Sequence, residues 1–268
     1  MMAPNGMMVV WSGLLLRTRN EAELATVLGH EFAHFEKRHS VQMFRNIKSK
    51  TDAMTWLSLV PGAVFAQISL IGSVYSFNRE MERQADLVAV DDLARGGYDP
   101  MAASQIWEQL RAEMDSTAIG KQARKMSDVS GDFFSSHPSS KERMEYLRAA
   151  AMGRRGAGQS FGTESYRKAM APWWPQLIDD QIKLNQFAAT EFLLDSMARG
   201  SWTADLLYAR GELYRARAKD GDFATAAGFY RQAITVDASL AESHRGLGLT
   251  LIRSGAKDEG KMALKQYL

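Results

Sequence analysis

The sequence contains no cysteine, and this absence excludes three kinds of chemistry. Disulfide bonds, thiolate nucleophiles and thiolate-bound zinc all need that residue, so any metal must be held by histidine and carboxylate side chains. An excess of charge of one sign is lacking as well, since 33 basic and 31 acidic residues give a formal net charge of +2. A nearly balanced chain without a long basic run gives no indication of a nucleic-acid partner.

The first residues of this sequence do not have the pattern of a signal peptide. The opening MMAPNGMMVVWSG has neither the basic flank nor the apolar stretch that such a peptide needs. It is typical of a β-strand over residues 7–11 that enters directly, as if preceding residues had been removed. We therefore expect a small sheet whose edge binds an extended substrate strand through main-chain hydrogen bonds.

Charge is absent from residues 53–77, a run long enough to span a bilayer. Pro61, Gly62, Gln67 and Gly72 interrupt the run, and its apolar character is only moderate. Two interpretations stay open here: a soluble helical hairpin, or a segment that is embedded in or touches a membrane.

The segment His30-Glu31-Phe32-Ala33-His34 has the HExxH pattern. On a helix, residues four apart lie one turn above each other, so both imidazoles can bind one ion from one face. Glu31 is rotated by about 100° from His30, which places it beside the metal as the general base for a water molecule. The pattern predicts a zinc site.

A catalytic zinc site needs a third protein ligand and an open position. The HExxHxxGxxH arrangement is excluded, because Lys37 and Ser40 stand where glycine and histidine would be required. The other common solution is a glutamate from a second helix. Glu82 and Asp86 form an ExxxD pair on one helical face, which predicts Glu82 as the ligand and Asp86 as the acceptor of a ligand histidine's second N–H. Glu80 is the rival ligand, but it cannot share that face.

Helix signals surround these motifs. Asn20 followed by Glu23 predicts a helix start, and this helix should continue to about His39. A second helix is expected from about Asn78 to Gly96-Gly97. The glycine-rich residues 153–163 are predicted to link two domains, of which the first comprises residues 1–152.

Residues 164–268 show helical pairs. Gly211, Tyr214 and Tyr230 anchor one set, and Gly248 and Leu264 belong to a second set of similar pattern. This region resembles tetratricopeptide repeats, in which small residues let paired helices pack closely. An irregular helical bundle is the alternative interpretation.

Four segments together resemble a known zinc endopeptidase family over about the first 150 residues: APNGMMVVWSGLL, NEAELATVLGHEFAHFEKRH, FNREMERQADLVAVDDLARGGYDP and SHPSSKER. The family includes the HtpX-like heat-shock proteases, the CAAX prenyl endopeptidases and soluble bacterial envelope proteases with tetratricopeptide tails. The resemblance implies one zinc ion held with a glutamate ligand, and endopeptidase activity on unfolded or misfolded envelope proteins.

The resemblance also assigns roles to three further residues. His137, in SHP, would either donate to the oxyanion or close the open zinc position at rest; the plainer alternative is a helix cap. Arg143 completes HPxxxxR and would support the site, or else pair with a surface acid. His39 matches a recurring RH, and structural support at the helix end is favoured over metal binding.

Together these observations predict an α+β, mostly helical metallopeptidase domain followed by an all-α tetratricopeptide-like domain. The predicted function is zinc-dependent hydrolysis of internal peptide bonds in the periplasm or cell envelope, as protein quality control. The alternatives are a chaperone or assembly adaptor with an autoinhibited zinc site, and a membrane-associated prenyl-protein protease. A protein partner bound through the C-terminal repeats and membrane proximity through residues 53–77 are further expectations.

Overall fold

The structure, a computed structural model, describes residues 2, 5–57, 64–120 and 141–268. These residues form thirteen helices and two isolated β-bridges, Met2–Met8 and Tyr98–Ser160. The predicted class, mostly helical, is confirmed. The helices are α1 (Ser12–Arg17), α2 (Glu21–Glu36), α3 (His39–Leu57), α4 (Val64–Arg95), α5 (Ala102–Gly120), α6 (Lys141–Met152), α7 (Thr163–Met170), α8 (Trp174–Lys183), α9 (Phe187–Ala198), α10 (Ala204–Arg217), α11 (Asp222–Val236), α12 (Ala241–Arg253) and α13 (Lys257–Tyr267).

In the part of the chain that the structure describes, the strand predicted over residues 7–11 and the small sheet do not form. Among the described residues its pairing is the single antiparallel bridge between Met2 and Met8, and helix α1 begins directly afterwards at Ser12. A strand needs a paired neighbour along its length, and the bridge supplies one at Met8 only.

Helix α2 begins as predicted. The Asn20 side chain accepts a hydrogen bond from the Glu23 backbone N–H at 2.8 Å, which satisfies one of the helix's unpaired amides. The predicted end near His39 is wrong, because the helix stops at Glu36. Arg38 has a φ of 55°, in the left-handed region, and this turn redirects the chain so that His39 begins α3.

Helix α4 begins at Val64, well before the predicted start near Asn78, and it ends at Arg95 as the Gly96-Gly97 signal indicated. The end is closed by a hydrogen bond from Tyr98 N–H to Leu93 O at 2.9 Å, with Gly97 in the left-handed region at φ 77°. None of the described helices combines the length and the apolar composition needed to cross a bilayer.

Small residues bring α2 and α4 close together beside the HExxH segment. Gly29 faces Ala89, and a Cβ added at Gly29 would lie 3.6 Å from the Ala89 backbone. Ala33 and Ala85 are also fully buried. The two helices can therefore approach closely enough for side chains on neighbouring turns to meet.

The glycine-rich stretch 153–163 is hydrogen-bonded to the surroundings of α2 and α4. Ser160 exchanges backbone hydrogen bonds with Gly97 and Asp99, at 3.1 and 2.9 Å, and Phe161 O accepts from Ala22 N–H at 3.1 Å. Arg155 also pairs with Asp99, at 2.7 Å. The domain bounds given above stay a prediction, and these contacts show that much of the stretch is anchored.

By its internal contacts the chain divides into two compact units. The first contains the described residues of Met1–Leu14, Asn20–Glu108 and Asp128–Tyr166, and the second those of Leu15–Arg19, Gln109–Ser127 and Arg167–Leu268. In the second unit α10 packs on α11 and α12 on α13 as consecutive helical pairs. Its core includes one cluster around Leu193 and Leu213 and another around the fully buried Tyr230.

Candidate metal centre

Three side chains from α2 and α4 converge on one point. His30 Nε2 lies 3.0 Å from His34 Nε2, and the Glu82 carboxylate oxygens lie 3.4 and 3.3 Å from these two nitrogens. One ligand atom from each residue lies within 4.8 Å of the others, and all three are buried or half-buried. Ligands at zinc distance in a tetrahedral site are spaced roughly 3.3 Å apart, so this donor set fits zinc.

The convergence follows from helical spacing on both partners. His30 and His34 are four residues apart on α2, and Glu82 extends towards them from α4. Glu80, the rival ligand, is exposed and accepts a hydrogen bond from Gln84 at 3.3 Å. The structure thus brings Glu82 into the group and leaves Glu80 at the surface.

Asp86 lies against His30, where the ExxxD spacing places it. Its Oδ1 lies 2.9 Å from His30 Nδ1, so the imidazole proton on that side is held and Nε2 is directed at Glu82 and His34. Burial opposes ionisation of Asp86, but the Arg143 guanidinium and the His30 hydrogen bond outweigh it and hold its pKa at about 2. Asp86 is therefore a carboxylate at any physiological pH.

Arg143 is buried and belongs to this cluster. Its Nε and a terminal nitrogen donate to the two Asp86 oxygens at 2.7 and 2.6 Å, a bidentate pair. The alternative, a pairing with a surface acid, is not what the structure shows, because Asp86 is only 2% exposed. Arg143 fixes Asp86, which in turn fixes His30.

Burial lowers the pKa of His30, but its hydrogen bonds to Asp86 and Glu82 reverse that effect and raise the pKa above its ordinary value. A histidine must give up its proton before it binds a metal through that nitrogen. Metal binding and proton release at His30 are therefore coupled.

Glu31 lies beside the group and is 8% exposed. Its Oε2 accepts a hydrogen bond from the backbone N–H of Met2 at 3.2 Å, and its place on α2 turns it about 100° from His30. The carboxylate is thus next to the ligands without sharing their direction. This is the placement that a general base requires.

His39 packs against His34 on the side of the ring that faces away from Glu82. The two Nδ1 atoms are 3.0 Å apart, and the ring planes meet at 79°. His34 Nε2, at the other end of the ring, contacts Glu82 and His30. His39 therefore supports a ligand residue, in line with the structural role favoured from the sequence.

The remaining predicted residue, His137, lies outside the described residues, together with the rest of the SHP motif. Its role as oxyanion donor, zinc plug or helix cap stays a prediction.

Two residues of the cluster were not predicted from the sequence. The Tyr146 hydroxyl donates to Asp86 Oδ2, and the Trp107 ring lies 3.7 Å from the Arg143 guanidinium carbon. Tyr146 follows Arg143 by three residues on α6, so shared helical spacing could have indicated it. Trp107 comes from α5, and no local pattern connects it with the site.

Comparison with known proteins identifies a peptidase family that the chain matches. The sequence profile of peptidase family M48 matches residues 1–151, more than half of the chain. The chain is 33% identical over 148 residues to the mitochondrial metalloendopeptidase OMA1 of Arabidopsis thaliana. This match covers 55% of this chain and 28% of that protein.

Bacterial relatives match a shorter stretch. The beta-barrel assembly-enhancing protease of Yersinia pestis is 31% identical over 119 residues, and that of Escherichia coli K12 is 28% identical over the same length. Each match covers 39% of this chain and 24% of the relative. The chain thus spans only about a quarter of the length of these curated relatives. No solved structure matches the chain.

Proposed function

Because this chain belongs to peptidase family M48, we propose that it is a zinc-dependent endopeptidase acting on unfolded or misfolded proteins of the cell envelope. The observation that carries the proposal is the convergence of His30, His34 and Glu82 beside the buried carboxylate of Glu31. Metalloendopeptidase activity is also what the names of the mitochondrial relatives state, and the bacterial relatives are named as proteases.

Each side chain has a distinct task in this proposal. His30, His34 and Glu82 hold one zinc ion, while Asp86 and Arg143 keep His30 in the tautomer that presents Nε2. When bound, zinc supplies Lewis acidity, which lowers the pKa of water and polarises a peptide carbonyl. Glu31 accepts the proton of the attacking water and later delivers it to the leaving amine.

We also propose a substrate class and a subcellular location. The bacterial relatives are named for enhancing β-barrel assembly, which supports a location in the periplasm or cell envelope. The consecutive helical pairs of α10 to α13 support tetratricopeptide-like repeats that bind a protein partner. Together these features favour quality control of envelope proteins.

The first test replaces the base without touching a ligand. We expect Glu31→Gln to keep its zinc and to lose casein cleavage by about 10²- to 10⁴-fold, since the amide cannot accept the proton. Glu36→Gln, at the exposed end of the same helix, is the matched control and should cleave like the wild type. Near wild-type cleavage by Glu31→Gln would rule out its role as the base.

The second test addresses the metal. About one zinc per chain should co-purify with the wild type, and Glu82→Ala should lose most of it because a ligand is removed. Glu80→Ala should retain the metal, since that side chain is exposed and lies outside the group. Metal analysis of the purified variants measures this, and equal zinc loss from both would refute the choice of Glu82.

A further inference from the structure

The two ligand histidines are supported in chemically different ways. His30 Nδ1 faces a carboxylate, Asp86, which can only accept a hydrogen bond. His34 Nδ1 faces another imidazole nitrogen, His39 Nδ1, at 3.0 Å. An imidazole nitrogen accepts or donates according to its tautomer, so His39 has a choice that Asp86 does not have.

Only one assignment of the protons leaves His34 able to bind a metal. His34 Nε2 points at Glu82 Oε1 and His30 Nε2, so this nitrogen must carry the lone pair and Nδ1 the proton. The Nδ1–H of His34 then donates to His39 Nδ1, which must be unprotonated. In the opposite assignment His39 donates, the proton of His34 moves to Nε2, and the ligand position is blocked.

The backbone places His39 for this contact. The left-handed turn at Arg38, with φ 55°, ends α2 and starts α3, and it returns the His39 ring to the last turn of α2. The ring is buried at 3% exposure and stands nearly perpendicular to that of His34. A non-glycine residue in that region costs of order 1 kcal/mol, which the surrounding contacts must offset.

We propose that His39 is a positioning residue that accepts the Nδ1 proton of His34 and thereby presents His34 Nε2 to zinc. The inference rests on the proposed function and adds to it a second support, independent of the Asp86–Arg143 pair. Residues that support a metal ligand in this way typically change metal affinity by 10- to 100-fold when they are replaced.

Two substitutions of similar shape separate hydrogen bonding from packing. Asparagine keeps an acceptor oxygen where His39 has Nδ1, whereas leucine has a methyl group there. We expect His39→Leu to weaken zinc binding by about 10- to 100-fold and His39→Asn to stay close to the wild type. Competition with a chelator of known affinity measures both, and thermal unfolding of the zinc-free proteins reports the stability of the fold without the metal.

Gln42→Ala is the matched control for the turn. Gln42 donates to Lys37 O at 2.6 Å and so stabilises the same turn. The variant should keep wild-type zinc affinity even if the turn is less stable. Equal weakening by His39→Leu, His39→Asn and Gln42→Ala would overturn the inference in favour of general support.

A direct measurement needs no variant. The chain has only five histidines, so long-range proton–nitrogen spectra of the ¹⁵N-labelled imidazoles can be assigned in the full-length protein. We expect His34 to carry its proton on Nδ1 and His39 on Nε2, and a protonated Nδ1 on His39 would overturn the inference. If the wild type binds no zinc, the proposed function fails and the inference with it. If it binds zinc and His39→Leu binds equally well, only the inference fails.

Discussion

The two units of the chain are stabilised by different means. The first buries a connected group of ionisable side chains, in which Asp86 receives hydrogen bonds from Arg143, Tyr146 and His30. The second buries two carboxylates, Glu113 and Asp222, and each is paired with an arginine of its own. Around Tyr230 its core is closely packed with small residues.

The difference shows where each unit is vulnerable. A connected group of buried charges is stable only when every member has its partner. A close-packed core depends on volume and shape. Loss of charge balance should therefore damage the first unit, and added volume the second.

The largest effect is expected where a charge in the first unit loses its partner. Arg143→Met removes the guanidinium that lies over Trp107 and leaves Asp86 without its bidentate partner, at a cost of about 3–5 kcal/mol. Hydrogen exchange of the α4 amides measures this as a lower free energy of opening.

Arg148→Ala, on the same helix α6, is the matched control. Its partner is Glu108, and both side chains are at least 40% exposed, so the loss should be no more than about 1 kcal/mol. Similar costs for the two variants would mean that burial of the charge cluster does not distinguish the first unit.

Metal removal should have the next largest effect. At free zinc about 100-fold above its dissociation constant, binding stabilises the native state by about 2.7 kcal/mol. Chelation should therefore lower hydrogen-exchange protection in α2 and α4, which carry His30, His34 and Glu82, and leave α11 and α12 unchanged. Equal loss of protection in all four helices would contradict the expectation that zinc stabilises only the first unit.

The smallest effect is expected when volume is added to the packed core of the second unit. A Cβ at Gly246 would lie 2.5 Å from the Tyr230 ring, which is fully buried and held by a 2.6 Å hydrogen bond to Glu212. Because the ring cannot move aside, Gly246→Ala should cost about 1–3 kcal/mol, measured by exchange of the α11 and α12 amides. Zinc affinity should not change.

Gly228→Ala provides the control in α11. Nothing lies within 4 Å of an added Cβ there, so the change should stabilise the helix by about 0.5–1 kcal/mol. Destabilisation by both substitutions would show that the unit is sensitive to any change in its helices, and not to volume at the Tyr230 contact.

The features predictable from the sequence are those set by local spacing. The HExxH and ExxxD patterns identified a group that the structure brings together, because residues four apart on a helix always share a face. The Asn20 cap was predictable for a similar reason, since its partner is three residues away.

Features that depend on distant contacts could not be predicted from spacing, and the family resemblance alone indicated that Arg143 supports the site. Arg143 reaches Trp107 and Asp86 across 36 and 57 residues of chain, and no periodicity records such a pairing. The start of α4 was misplaced because Pro61, Gly62 and Gly72 indicate interruptions, whereas the helix begins after the first two and continues through the third. The end of α2 was misplaced because arginine gives no signal for a left-handed turn.

The contact around Tyr230 also constrains the order in which this protein can change during evolution. A Cβ at either Gly211 or Gly246 would come within 2.5 Å of the same ring. Once Tyr230 is replaced by a smaller residue, both glycines become free to vary, and side chains at those positions would help to fill the space. Substitutions at the three positions are therefore strongly non-additive, and the cost of a side chain at either glycine depends on whether Tyr230 has already been replaced.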